Sequence, residues 1–289
     1  MDDSGELRYR LPRRTAGQRV GAHRGTAAGA GIEFLTHHNL FDHADPRRLD
    51  LRASLADLRG DWLVRVNRLR TAATVLVLVD VSASMRFGEP AKLDVAADFV
   101  ESLGRSAFRI GDAVGMLAFD AAVRDDLHVA PRHGRGVGPT MAALLRGCAS
   151  GPGGIAGLRD AAMRVGPRPA LVFVVSDFLW PLAGLGDVVD QLARAHVVPL
   201  VVVDPAESEA PARGGLALLR DSETSRQRTL WVRPALRQRW RHAALARRAQ
   251  LDAIFADRGL RPFTLRAAFD AHALSDHLLE DLADRKSVV

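Results

Sequence analysis

The sequence predicts an α/β fold: a mainly parallel, Rossmann-like sheet with helices on both faces. Three observations predict it. Four runs, 74–79, 113–119, 170–176 and 197–203, are apolar throughout, and a strand without a polar face is buried on both sides. Segments of helical period separate these runs. Two of the runs close on an aspartate, TVLVLVD at Asp80 and ALVFVVSD at Asp177, and ligands of open parallel sheets gather beyond the carboxyl ends of the strands.

Taken in order, residues 1–30 are rich in Arg, Gly and Ala, have no period, and read as a mobile arm. Residues 31–70 read as a small β-rich appendage. Within it, 31–35 is a short strand, 45–54 (DPRRLDLRAS) a turn leading into a short helix, and 61–70, where Trp62, Val64 and Val66 alternate with other residues, a strand with one wet face. The main domain takes up 71–289. Its first strand is followed by a helix on which Leu93, Ala96, Ala97, Val100, Leu103 and Ala107 recur at helical spacing. Residues 124–130 pair with the second strand as a hairpin, and 140–148 and 158–165 read as helices. After the third strand comes a helix over 185–196, then the fourth strand. Residues 205–233 break the rhythm and read as a surface loop with an inserted hairpin of strands 215–219 and 228–232. A long, arginine-studded helix over 234–257, a fifth strand at 261–265 and a last helix capped by Asp270 complete the domain.

Composition narrows the function classes. The chain has 289 residues, 47% of them hydrophobic, enough for a large core. Its longest apolar runs fall far short of the ~20 residues a membrane span needs, and its start, MDDSGELRYRLPRR, has no apolar core of a secretory signal. Cys148 is the only cysteine, so no internal disulfide forms. These features point to the cytoplasm. The net charge is +6, yet the arginines are dispersed among 34 acidic residues and make no basic stripe, which argues against nucleic acid as the main partner. Lys92 and Lys286 are the only lysines among 40 basic residues, the skew a GC-rich genome gives.

The chemistry sits in Asp80-Val81-Ser82-Ala83-Ser84. If the strands ending at Asp80 and Asp177 are neighbours, both carboxylates reach one crevice, and the serine hydroxyls add oxygens without charge. An all-oxygen set suits a hard cation, Mg²⁺ or Mn²⁺, which takes about six oxygens. The plainer alternative is a turn and helix cap at Asp80, Ser82 and Ser84, a cap at Asp177, and a helix start at Gly138-Pro139-Thr140. As a strand-end group, Asp80 is expected to be replaceable by alanine with the fold largely intact.

The D-x-S-x-S pattern after a buried strand resembles the metal-ion-dependent adhesion site of von Willebrand factor type A (vWA) domains. The resemblance implies a threonine from a later loop, matched by Thr140 in GRGVGPT, and an aspartate at the end of a later strand, matched by Asp177. It implies that Ser82, Ser84 and Thr140 touch the metal directly, that Asp80 and Asp177 do so directly or through water, and that an acidic residue of a partner completes the shell. Over about 31–280 the chain also resembles the bacterial MoxR-associated group called domain-of-unknown-function family 58. That group carries a D-x-R-x-I-D-W-like segment, here Asp45, Arg47, Leu49, Asp50 and Leu51, with leucine in the tryptophan's place. DSETSRQRTLWV resembles its late hairpin. This resemblance implies a partner AAA+ ATPase of the MoxR type and no established catalysis.

Two other functions compete with this interaction protein: a metal-dependent hydrolase using the same carboxylates, and an arginine-rich nucleic-acid binder. The hydrolase needs a general base, for which only His128 and His133 lie in suitable loops. Arg86, Arg132 and Arg135 are candidates for steering acidic partners. Phosphate-binding GxxxxGK[ST] and GxSxG motifs are missing, and Gly29-Ala30-Gly31 precedes no clear helix. His37, His38 and His43 read as a solvated loop, and Cys148 as a small buried residue.

Overall fold

The computed structural model describes residues 6–11, 20–29, 33–42, 45–166, 171–208, 215–220 and 227–287. They form two compact units, Arg13–Ala73 and a larger one of Met1–Pro12 with Thr74–Val289.

In the smaller unit, β1 (Val20–Gly29), β2 (Glu33–Asn39) and β3 (Leu63–Thr71) pair antiparallel in the order β1-β3-β2. Period-two alternation turns Val64 and Val66 inward and leaves Arg65 exposed, while Trp62, just before β3, stays half exposed. Between β2 and β3 lies the short helix α1 (Leu51–Ala56). The DPRRLD segment works here as two caps: Asp45 accepts from the Arg47 amide at 3.3 Å and Asp50 from the Ala53 amide at 3.1 Å. The second oxygen of Asp50 lies 3.1 Å from His37 Nε2.

The larger unit runs β4 (Thr74–Asp80), α2 (Lys92–Ile110), β5 (Ala113–Phe119), β6 (Val123–Arg132), α3 (Val137–Gly147), α4 (Ile155–Arg164), β7 (Leu171–Ser176), α5 (Leu185–Gln191), β8 (His196–Val203) and α6 (Pro205–Ser208). The hairpin of β9 (Gly215–Arg220) and β10 (Gln227–Val232) follows, then α7 (Pro234–Ala256), β11 (Phe263–Arg266) and α8 (Ala271–Ser287). Six strands form the central sheet in the order β11-β8-β7-β4-β5-β6, parallel except for β6. This is the expected mainly parallel sheet with helices on both faces, and the expected hairpin follows β8 in the chain order.

Alternation along β4 divides its side chains between two cores. Val75, Val77 and Val79 pack with Leu93, Ala96, Val100 and Leu103 of α2, and with α3 and α8. Leu76 and Leu78 face the other way, against Leu158 and Ala161 of α4, the α5 helix, and Leu251 and Phe255 of α7. Each such side chain, once buried, contributes about 1.5–3 kcal/mol. The α2 helix ends at Gly111, whose φ of 88° is the left-handed cap in which glycine carries no Cβ penalty. Among the described residues, no helix is long and apolar enough to cross a membrane.

Three expectations change. Residues 6–11 are not a mobile arm: Leu7 and Tyr9 lie in the α2 core, the Leu7 amide donates to Ser106 Oγ at 2.9 Å, and Tyr9 Oη donates to Asp112 Oδ2 at 2.7 Å. The alternation of Leu7, Tyr9 and Leu11 among charged residues carries this, and β1 also lies inside the stretch read as an arm. The helix expected over 185–196 ends at Gln191, because His196 opens β8 opposite Leu171. The helix expected from Thr140 starts earlier, at Val137, since Pro139 in a first turn gives up only an amide that has no helical acceptor.

Candidate functional site

Four adjacent strands of the sheet lead into an aspartate: Asp80 is the last residue of β4, and Asp204, Asp177 and Asp120 directly follow β8, β7 and β5. All four make the same turn, in which one carboxylate oxygen accepts the amide two residues on. The acceptances are Ala206 N to Asp204 at 2.8 Å, Leu179 N to Asp177 at 3.1 Å, Ser82 N to Asp80 at 2.9 Å, and Ala122 N to Asp120 at 3.3 Å. The repeated strand-end Asp was present in the sequence, in AVGMLAFD and VVVD as well as in the two runs singled out there.

Asp80 is fully buried. Its Oδ1 takes the Ser82 amide, while its Oδ2 takes Ser176 Oγ at 2.6 Å and Trp180 Nε1 at 2.9 Å. Ser82 Oγ and Ser84 Oγ stand 3.2 Å apart on the turn after β4, so the Asp80, Ser82 and Ser84 group is assembled. Burial first, and the neighbouring Asp177 charge second, push the Asp80 carboxyl up to about 6. The turn after β7 is held from several sides. Phe178 has a φ of 51°, its amide donates to Ser176 Oγ at 2.8 Å, and Arg247 from α7 donates to the carbonyls of Phe178 (2.6 Å) and Trp180. Burial lowers the Arg247 guanidinium from its usual range.

Asp177 meets a charge. Lys92, the first residue of α2 and only 2% exposed, donates from Nζ to Asp177 Oδ2 at 2.5 Å and to Glu207 Oε1 of α6. Burial raises the Glu207 carboxyl, an effect Lys92 opposes. Sequence reasoning missed Lys92, Glu207, Ser176 and Trp180. The usable signal was the rarity of lysine.

Thr140 stands elsewhere. It is exposed on the first turn of α3, where its Oγ1 donates to the Gly136 carbonyl at 2.8 Å. That turn packs at Gly104, since a Cβ on Gly138 would come within 2.7 Å of the Glu101 carbonyl and 3.1 Å of the Gly104 Cα. Gly104 lies roughly 18 Å along α2 from Lys92, at ~1.5 Å rise per residue. The loop that covers the serines is instead 148–154. The Ala83 amide donates to the Gly151 carbonyl at 2.8 Å, and a Cβ on Gly153 would come within 2.9 Å of Ser82 Cβ. Arg86 ties this loop down through Ser150 Oγ, at 3.0 Å, and the Cys148 carbonyl. Of the other groups considered, Arg132 pairs with Val114 near the start of β5, Arg135 is exposed before α3, and His128 is exposed on β6. His133 stacks on Phe108 near the end of α2. None of these four stands beside Asp80.

The five oxygen residues therefore do not fit a divalent cation as one set. Thr140 sits on the first turn of α3 with its hydroxyl on the Gly136 carbonyl, Asp177 already holds an ammonium, and both oxygens of Asp80 accept protein donors. Among the described residues, no group of three or more His, Cys, Asp or Glu side chains is placed to hold a metal ion.

Comparison with known proteins adds the following. The family model described as protein of unknown function DUF58 matches residues 45–250. An uncharacterized protein of Mycobacterium tuberculosis is 32% identical over 187 residues, a match covering 61% of this chain and 56% of that protein. An uncharacterized protein of Mycobacterium avium is 31% identical over 134 residues, covering 44% of this chain and 79% of that one. The chain thus spans little more than half the length of the Mycobacterium tuberculosis relative. Among solved structures, BatB from Bacteroides thetaiotaomicron aligns at a TM-score of 0.45 and 15% identity, over 74% of this chain and all of that one. A von Willebrand factor type A protein from Catenulispora acidiphila aligns at 0.37 and 11%, over 75% and 43%.

Proposed function

The chain belongs to this family, and we propose that it is a non-catalytic protein-interaction module whose docking face is the carboxyl edge of strands β4 and β7. We further propose a MoxR-type AAA+ ATPase as its partner, engaged through an acidic residue. The observation that carries the reading is the make-up of that edge. Charged and hydroxyl groups are gathered there, each held by a protein partner, and among the described residues the two histidines considered as bases lie elsewhere, His128 on β6 and His133 on Phe108. The two turns also present one exposed apolar side chain each, Phe87 (41%) and Leu179 (49%), the apolar component a docking face needs. The choice of ATPase rests on the sequence resemblance to the MoxR-associated group.

The test is binding of the purified chain to a MoxR-type ATPase of the same genome, with ATP present, by biolayer interferometry. Phe87→Ser and Leu179→Ser should each weaken binding about tenfold, the loss expected of an interface anchor, while Thr140→Ala should not change it. Absence of binding, or equal losses at all three positions, would reject the docking face.

A further inference from the structure

We propose that Lys92 is the resident cation of this site and Glu207 its built-in anionic ligand, so that an ammonium does here what a divalent metal was expected to do. Four observations converge on this. The first is residue choice. In a chain whose Lys and Arg residues are all arginine but for Lys92 and Lys286, the one buried at the strand ends is a lysine, a compact point charge with three donors and not a planar fork. The second is position. Lys92 opens α2, and a helix amino terminus disfavours a cation, so its placement needs compensation from elsewhere. The third is the source of that compensation. Asp177 and Glu207 lie 85 and 115 residues away, on the turns after two other strands, and both close on Nζ. The fourth is electrostatic. Asp80, Asp177 and Glu207 share one edge, where burial and mutual repulsion raise the carboxyls of Asp80 and Glu207, and a cation among them relieves that repulsion. A second, divalent cation in the same place would be repelled by the ammonium.

Glu207 is the outermost of the three groups. Its side chain is 20% exposed against 2% for Lys92 and 1% for Asp177, and its backbone is pinned where Trp240 Nε1 donates to the Glu207 carbonyl at 2.8 Å. A partner carboxylate reaches Lys92 by displacing Glu207, with Asp177 remaining beneath as the permanent counter-ion. This last step rests on the proposed docking function, whereas the identity of the cation does not.

The experiment titrates the full chain with MgCl₂ and MnCl₂ alone, by calorimetry and thermal melting, in the wild type, Lys92→Met, Asp177→Asn and the double variant Lys92→Met/Asp177→Asn. The wild type should give no saturable heat and no shift in melting temperature with either ion or with EDTA. Each single variant should melt about ten degrees lower, as breaking a buried pair does, and the double variant should regain most of the loss. Saturable Mg²⁺ or Mn²⁺ binding by the wild type that Asp177→Asn abolishes would overturn the proposal. So would a Lys92→Met protein that melts like the wild type. If the single variants do not fold, the metal titration of the wild type and of the double variant still decides. Partner binding, measured in parallel, separates the two ideas. Its failure with the lysine results intact rejects the docking function alone, and Glu207→Gln should strengthen it severalfold.

Discussion

The turns that follow β4 and β7 begin alike and end differently. In each, a strand-end aspartate leaves a buried strand and spends Oδ1 on the amide two residues on. The remaining oxygen of Asp80 then meets two neutral donors, Ser176 and Trp180, whereas that of Asp177 meets the Lys92 ammonium. One backbone motif thus produces a solvent-excluded acid whose carboxyl is pushed up, and beside it a charged partner in an ion pair. A strand-end Asp fixes where a carboxylate stands. What it does there is decided by groups that arrive from other elements.

This contrast can be broken in order of severity. Asp177→Ala leaves the Lys92 ammonium buried with Glu207 alone and should cost on the order of 3–5 kcal/mol in urea unfolding. Asp80→Ala leaves the Ser82 amide, Ser176 and Trp180 without their acceptor and should cost less, about 2–3 kcal/mol. It should not be the silent change expected of a strand-end group. Thr140→Ala, on the exposed first turn of α3, should stay within about 0.5 kcal/mol.

Protonation sharpens the same comparison. The Asp80 carboxyl lies at about 6, above the ordinary 3.8. Its contribution to stability is therefore fully present below about 3.8 and is lost as pH rises through about 6, because the folded state holds the proton longer than the unfolded chain. Carboxyl-carbon NMR should place its midpoint near 6, and Asp177→Asn should lower that midpoint by removing the neighbouring charge. An unmoved midpoint would mean that the two aspartates do not share an edge. A gentler probe reads the amino-terminal segment. Tyr9 is the chain's single tyrosine, and burial, then the Asp112 charge, raises its hydroxyl well above 10.0. Ultraviolet titration should show tyrosinate forming only above that range, and earlier in Asp112→Asn.

Much of the sheet was legible because apolar runs of strand length admit few other readings, and the gathering of Asp80, Ser82, Ser84 and Asp177 at one edge was legible because two neighbouring runs close on an aspartate. Thr140 was misplaced for a local reason. Gly138-Pro139-Thr140 reads equally as a loop or as a first helical turn, and the helix starting at Val137 turns the hydroxyl back onto Gly136. Lys92 and Glu207 escaped for a non-local one: no spacing in the chain announces a contact across 115 residues. Leu7 and Tyr9 were hidden by the arginines between and around them, although their alternation was there to read.

The central claim, that an ammonium and not a metal holds the carboxylates together, is tested most directly by diffraction from crystals grown with Mn²⁺ at a wavelength where manganese scatters anomalously. The account predicts Lys92 Nζ between Asp177 and Glu207, with no anomalous peak between Asp80 and Asp177. A manganese peak bound by Asp80, Ser82 and Ser84, with Lys92 turned away from Asp177, would contradict it.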